Sequence, residues 1–582
     1  MWLNLGGIET STIIVKIKFI KKHWMVIEVL FDRHIIFFRR GFIAILLLMI
    51  YANSISAQDY SIILGRPTDT SMTANIMFDL SGQFYLKWGT QSGTYIDSTA
   101  LLTYTARVPY VVDMNNLTAD TKYYYCVAYK NNGSANFTIS PEYTYHTQRL
   151  PGSSFTFTVE ADEHLYDYGN QHLYQVSLAN VALDNPDFMF TLGDIFGDDH
   201  YPFTITSQQV DSLRRAYRQR LGAVCNSIPF NICLGNHDGE KMYYLDTLAP
   251  NNLAIWSTLW RKYYYSNPEP NGFYSGNSNA EGFGIGLPED YYSFTWGNAL
   301  FVVLDAYRFD CDSVTSLQAK PKGWNWTLGL AQYNWLKNTL QNSTAKFKFV
   351  FVHHPLGEDR GGIIPAQLFE WGGHEQNGTY TFDTHRPGWG VPIQQLFVNY
   401  GVNILFQGHD HLFAHEVLDS ITYQEVPMMA DSTYVKGSVN TAAYTADTLQ
   451  NSGYVRVTVS ASCVKVDYIK SYLPRDTVTG INHNHSVAFS YTIGTCDSAA
   501  FVSNLSKNIN LNVFPNPATN LVNISFDDNS HVHLIRLINT VGGEISQTQE
   551  DHIDVSSIPT GLYFLNIRTE NYQTVRKILV IH

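Results

Sequence analysis

Five short apolar runs in the middle of the chain each end in a cluster of acidic, amide or imidazole side chains. Residues 155–160 lead into Asp162-Glu-His164, 188–192 into Gly193-Asp194, and 228–234 into Gly235-Asn-His-Asp238. Residues 347–352 lead into His353-His354-Pro355, and 402–406 into Gly408-His-Asp-His411. An apolar run of this length reads as a buried strand, so the polar clusters fall at carboxyl ends of strands, where open α/β sheets place their chemistry. Helical patterns at 171–183, 207–223, 330–341 and 393–400, with a further strand at 299–305, return the chain to the sheet each time. That alternation defines α/β layering. Long irregular stretches at 263–292 and 357–390 read as functional loops at the mouth of a site.

Polar groups crowded at buried strand ends are costly unless metal ions or hydrogen bonds satisfy them. Taken alone, Gly235-Asn-His-Asp238 is also an ordinary polar turn, and Asp162 with His164 is a chance pairing. Five such clusters in order are far more specific. Neutral imidazole together with carboxylate suits Zn, Fe, Mn or Co rather than the all-oxygen shells of Ca and Mg. More ligands are on offer than one four-coordinate ion needs. Two ions about 3.5–4 Å apart, sharing a carboxylate, would use them and clamp an in-line displacement at phosphorus.

The ordered motifs DxH, GD, GNHD, HxP and GHxH resemble the calcineurin-like metallophosphoesterase superfamily over roughly residues 153–495. The resemblance implies an α/β fold: a sandwich of two β-sheets flanked by helices, here with all-β sandwich domains at both ends. Carried over by position, Asp162, His164 and His411 hold one metal, and Asn236, His353 and His409 the other. Asp194 bridges them, and His354 lies just outside the ligand shell. The implied mechanism is attack on phosphorus by a hydroxide bridging the two metals, with His237 protonating the leaving alkoxide as general acid. Purple acid phosphatases place a tyrosine ligand three residues after the aspartate of GD, where this chain has Gly197, and end the first motif in Gly rather than His164. A purple iron–tyrosinate centre is therefore not expected. Many relatives put at that same position an aspartate that orients the general-acid histidine. The nearest carboxylates here are Asp198 and Asp199, and Asp198 reads either as that orienting group or as a solvated loop charge. Arg360, His200 and His374 lie in loops and are left out of the site.

Short alternating runs separated by turn residues between positions 61 and 146 read as a β-sandwich. Within it, Leu117-Thr-Ala-Asp-Thr-Lys-Tyr-Tyr-Tyr125 resembles the tyrosine corner of fibronectin type III domains, and such a sandwich precedes the catalytic domain in purple acid phosphatases. At the other end, Phe514-Pro-Asn-Pro517, Asn539-Thr-Val-Gly-Gly543, Gly561-Leu-Tyr-Phe564 and Arg576-Lys577 resemble the sorting domain of the type IX secretion system. That resemblance implies the secretion machinery as a partner and release or anchoring at the outer-membrane surface. Arg39-Arg40, the apolar run 42–51 and the small residues up to Ala57 have the parts of a secretory signal peptide, with Met25 a candidate for the true start. The expected organisation is thus leader and signal peptide (1–57), fibronectin-like sandwich (58–148), metallophosphoesterase domain (149–497), linker (498–507) and sorting domain (508–582).

A net charge of −13 with no basic counterpatch argues against nucleic acid as a partner. The six cysteines form no CxxC site; Cys225 and Cys233 could pair, though six allow fifteen connectivities. The resulting expectation is a secreted phosphatase acting on phosphomonoesters with two transition metal ions, Fe, Zn or Mn. The alternatives are a phosphodiesterase or nucleotidase of the same superfamily, or a catalytically dead surface binding protein.

Overall fold

The computed structural model describes residues 14–20, 24–30, 60–202, 204–241, 251–308, 322–437, 443–444, 447–477, 482–496, 511–526, 532–539, 544–569 and 573–582. The chain divides into two units, Met1–Asp59 and Tyr60–His582. The first contains an antiparallel hairpin in which Ile14–Ile20 pairs with Trp24–Leu30. The expected signal peptide segment, residues 39–57, and the linker, residues 498–507, lie outside the described residues.

The second unit opens with two antiparallel sheets. One holds β1 (Tyr60–Gly65), β2 (Ser71–Phe78) and β4 (Tyr110–Asn115); the other is built on β3 (Gly82–Gly89), β5 (Lys122–Asn131) and β6 (Tyr143–His146). Apolar side chains alternate inward along these strands, so Ile62, Phe78, Phe84, Tyr104 and Tyr125 meet in one core. The Tyr123 hydroxyl accepts a hydrogen bond from the Thr118 amide at 2.9 Å, the contact by which a tyrosine corner pins the chain entering a strand.

Two larger sheets follow, packed face to face. The six-stranded sheet runs in the order β9 (Phe230–Ile232), β8 (Phe188–Thr191), β7 (Phe155–Glu160), β16 (Gly453–Val459), β17 (Cys463–Lys470) and β18 (Ser486–Gly494). The eight-stranded sheet contains β10 (Tyr292–Trp296), β11 (Ala299–Val303), β12 (Phe347–Phe351), β13 (Ile404–Gln407), β15 (Ile421–Glu425) and β14 (Phe413–Leu418), with a short strand at each edge. Strands β7, β8 and β9 are mutually parallel, as are β11, β12 and β13, so all these strands end in the same sense within their sheets. The chain returns from the second sheet to the first through β16, which pairs antiparallel with β7.

Between the sheets lies an aromatic core in which the rings of Phe190 and Phe351 stack at 4.2 Å, and those of Phe351 and Phe406 at 5.0 Å. Each buried phenylalanine contributes about 1.5–3 kcal/mol from apolar burial alone. Helices α1 (Gln171–Asp184), α2 (Ser207–Leu221), α3 (Leu253–Tyr264), α4 (Leu330–Asn342) and α5 (Ile393–Tyr400) cover the outer faces. The start of α2 is fixed by a capping box in which Thr206 and Gln209 satisfy each other's backbone amides.

Arg218 of α2, fully buried, fastens the N-terminal sandwich to this layer. Its guanidinium donates to the Ser61 hydroxyl at 2.9 Å and to the Asn75 side-chain oxygen at 2.8 Å. Part of the stretch 263–292 joins the same contact: the Asn267 carbonyl accepts from Arg66 Nε at 2.7 Å, and Tyr274 donates to the Pro67 carbonyl. Cys463 and Cys496 form a disulfide, whereas Cys225 and Cys233 are buried free thiols and do not pair. At the C-terminal end two further antiparallel sheets enclose Val522, Ile535, Leu565 and Ile578.

Candidate metal centre

The carboxyl ends of β7, β8, β9, β12 and β13 converge, and the seven sequence-predicted ligands meet there as two groups. Asp162, His164 and His411 present ligand atoms within 4.8 Å of one another, and so do Asp194, His353 and His409. Asn236 joins the second group through Oδ1, which lies 3.0 Å from His353 Nε2. Asp194 Oδ2 sits between the groups, 3.2 Å from His353 Nε2 and 3.8 Å from His164 Nε2. Asp162 Oδ1 is 3.4 Å from His411 Nε2.

This crowding requires an unusual backbone. Asp162, His164, Asp194, His409 and His411 all have positive φ, between 42° and 77°. Left-handed backbone costs a non-glycine residue roughly 1–2 kcal/mol, and such strain gathers at functional sites. Beside it, Gly235 lies so close to the β8 end that a Cβ would come 2.2 Å from the Asp194 amide and 2.4 Å from Asp194 Oδ1. Only glycine lets the two strand ends approach this far. Asp238 locks them together: its buried carboxylate accepts from the amides of Asp194, Gly235, Ile195 and Phe196 at 2.8–3.1 Å.

The donor atoms fit cations. Asp162 Oδ1 and Asp194 Oδ2 are buried with no hydrogen-bond partner, while their second oxygens accept from the backbone amides of His409 and His237. In each group two imidazole nitrogens face each other, His164 Nε2 and His411 Nε2 at 3.0 Å, His353 Nε2 and His409 Nδ1 at 3.2 Å. Burial opposes ionisation of Asp194, yet the charges of His353 and His237 hold its carboxyl well below the ordinary range. Burial drives His164 down to about 3 and keeps His409 well below its usual value, so both are neutral imidazoles with a lone pair to give. Two unpaired carboxylate oxygens beside the neutral imidazoles of His164 and His409 offer the nitrogen and oxygen donors that borderline transition metals take.

His354 is buried outside both groups, with Nδ1 accepting from the Leu356 amide. His237 stands at the edge, its Nε2 4.0 Å from Asp194 Oδ2 and its side chain 30% exposed. Burial works against its protonation, but the charge of Asp194 and the hydrogen bond the ring donates to Asp199 raise it to about 9. Asp199, not Asp198, makes that bond, at 2.6 Å to Nδ1. Asp198 is neither an orienting group nor a solvated charge: it is buried against Arg214 and accepts from the Ser257 hydroxyl at 2.9 Å. Lys241, fully buried, bridges Asp199 Oδ2 to Glu358. The loop beginning at Gly357 reaches the centre, where the Glu358 carbonyl lies 3.3 Å from His409 Nε2 and Arg360 donates to the His409 carbonyl. The His200 ring lies tilted beside His237 with centroids 5.2 Å apart, whereas His374 turns to the Gln367 carbonyl.

Residues 155–413 match the family described as calcineurin-like phosphoesterase, and residues 512–581 the secretion system C-terminal sorting domain. The comparison with curated proteins gave no sequence match. Among solved structures, PhoD is 18% identical with a TM-score of 0.52, over 75% of this chain and 90% of that one. The purple acid phosphatase PPD1 from yellow lupin (Lupinus luteus) seeds is 14% identical with a TM-score of 0.50, over 75% of this chain and 74% of that one. At these identities the likeness shows the fold. Fold and family match together define a metallophosphoesterase domain with β-rich flanking regions. More specifically, the chain carries a calcineurin-like phosphoesterase domain followed by a type IX sorting tail, which marks it as a secreted or cell-surface protein.

Proposed function

We propose that the protein is a secreted phosphomonoesterase with a two-metal centre. In this reading Asp162, His164 and His411 hold one ion, Asn236, His353 and His409 the other, and Asp194 bridges them. The observation that carries it is Asp194 Oδ2, an unpartnered buried oxygen placed between imidazoles of both groups. Bound there, two ions of Fe, Zn or Mn would polarise phosphoryl oxygens and ease the deprotonation of water. The reaction consumes water and breaks the ester P–O bond, giving phosphate and an alcohol. His237 supplies the proton the alkoxide takes as that bond breaks, from Nε2, while Asp199 holds Nδ1 and keeps the ring turned toward Asp194. Lys241 in turn steadies Asp199.

The accompanying domain reading is a leader with signal peptide (1–57), a fibronectin-like sandwich (58–148), the catalytic domain (149–497), a linker (498–507) and a sorting domain (508–582) that docks on the secretion machinery and supports surface anchoring. Hydrolysis of p-nitrophenyl phosphate against its bis ester, with Asn236→Ala as control, tests the assignment. Monoester turnover abolished in the control is the expected result. Preferential turnover of the bis ester would favour a diesterase, and no turnover of either a binding protein on a dead scaffold.

A further inference from the structure

The two histidines of the Asp162 group each meet a tyrosine hydroxyl on the side away from the centre. His164 Nδ1 lies 2.6 Å from the Tyr166 hydroxyl, and His411 Nδ1 lies 3.1 Å from the Tyr168 hydroxyl. Both tyrosines come from the loop that follows β7, two residues apart, and both rings lie against His164: Tyr168 stacks on it at 5.3 Å and 17°, and Tyr166 meets it edge-on at 5.5 Å. The second group is held differently. His353 Nδ1 faces the Leu192 carbonyl at 2.8 Å, and His409 Nε2 faces the Glu358 carbonyl.

The Tyr166 ring also explains Gly197. A Cβ at position 197 would fall 2.2 Å from Tyr166 Cδ2 and Cε2, and Gly197 sits at φ +68°. Tyr166 therefore fills the space over residue 197 and turns its hydroxyl to His164.

On the two-metal reading above, we infer that Tyr166 and Tyr168 are a pair of positioning residues that set both histidines of the Asp162 group as metal ligands. With Nε2 of each ring turned inward as a lone pair, the ring proton sits on Nδ1 and donates to the tyrosine oxygen. The hydroxyls thereby fix ring orientation and tautomer together, as outer partners of metal-bound histidine do. Because the other group relies on backbone carbonyls, loss of the tyrosine hydroxyls weakens one ion and spares its neighbour.

The test is metal binding by the full-length chain, titrated with Zn²⁺ or Mn²⁺ against a competing chelator, for wild type, Tyr166→Phe, Tyr168→Phe and the double variant. Phenylalanine keeps each ring in place and removes only the hydroxyl. The expected result is two ions per wild-type chain and, in the double variant, one class of site weakened about 10- to 100-fold with the other unchanged. Histidine NMR of the zinc-loaded chain reads the second effect: the His164 and His411 Nδ1–H signals, protected from exchange in wild type, exchange faster in the variants. Equal affinities in wild type and double variant, or equal weakening of both sites, would overturn the inference. A wild-type chain that binds no metal would overturn the two-metal reading itself.

Discussion

Asp199 Oδ1 lies 2.6 Å from His237 Nδ1, while the other Asp199 oxygen is taken by Lys241 at 3.1 Å. The carboxylate is thereby committed to the imidazole, which it orients with Nε2 toward Asp194. A general acid matters most when the leaving alkoxide is a strong base. Asp199→Asn is expected to lower kcat about 10- to 100-fold on an alkyl phosphate and less than about threefold on p-nitrophenyl phosphate. Equal losses on both substrates, measured at saturating concentration, would remove His237 from the role of acid.

Gly197 supports the centre from outside. Gly197→Ala combines a left-handed backbone, costing about 1–2 kcal/mol, with a Cβ driven into the Tyr166 ring. Overpacking adds to that penalty, so chemical denaturation should show a loss of more than about 2 kcal/mol. A neutral substitution would mean that the Tyr166 ring is free to move.

A cluster far along the chain ties α1 to the returning strands. Asp184 Oδ1 accepts from Arg456 Nη1 at 2.6 Å and lies 2.7 Å from His485 Nε2, while Oδ2 accepts from the Tyr454 hydroxyl at 2.6 Å. Burial opposes its ionisation, but the His485 hydrogen bond and the Arg456 charge hold the carboxyl below its ordinary value. A depressed carboxylate stabilises the fold fully above the unfolded value of about 3.9 and loses that contribution as pH falls through the folded one. Asp184→Asn should therefore cost about 1–3 kcal/mol near neutral pH, with the difference from wild type shrinking below about pH 4. Urea unfolding at several pH values measures it, and a constant difference down to pH 2 would contradict the linkage.

Much of the centre was legible because strand ends and glycines leave local marks. Helix 393–400 and the strand at 347–351 fall within a residue of the sequence reading, since each pairs a clear apolar period with a flanking turn residue. The candidate ligands His353 and His409 could be placed by motif order, and the fold brings both to one point beside Asp194. Other features left no local mark. Strands β16 and β17 were not read, although β16 pairs with β7 and β17 with β16 to extend the first sheet, because only long-range partners decide their place. Helix α3 was missed at the border of an aromatic stretch without clear period. Asp199 and Asp198 could not be told apart, since two adjacent carboxylates differ only in what the fold turns toward each: His237 for one, Arg214 for the other. Tyr166 and Tyr168 looked like two more residues in a tyrosine-rich chain, and only the positions of His164 and His411 single them out.

In the proposed two-metal centre, Asp162, His164, Asp194, Asn236, His353, His409 and His411 together hold a pair of cations on which phosphoester hydrolysis depends. Metal titration of the chelator-treated full-length chain, followed by metal content and p-nitrophenyl phosphate turnover together, measures it most directly. The expected result is uptake of about two transition metal ions per chain, with turnover rising as the second ion binds. A metal-free chain that retains full turnover, or a chain that takes up no metal, would contradict it.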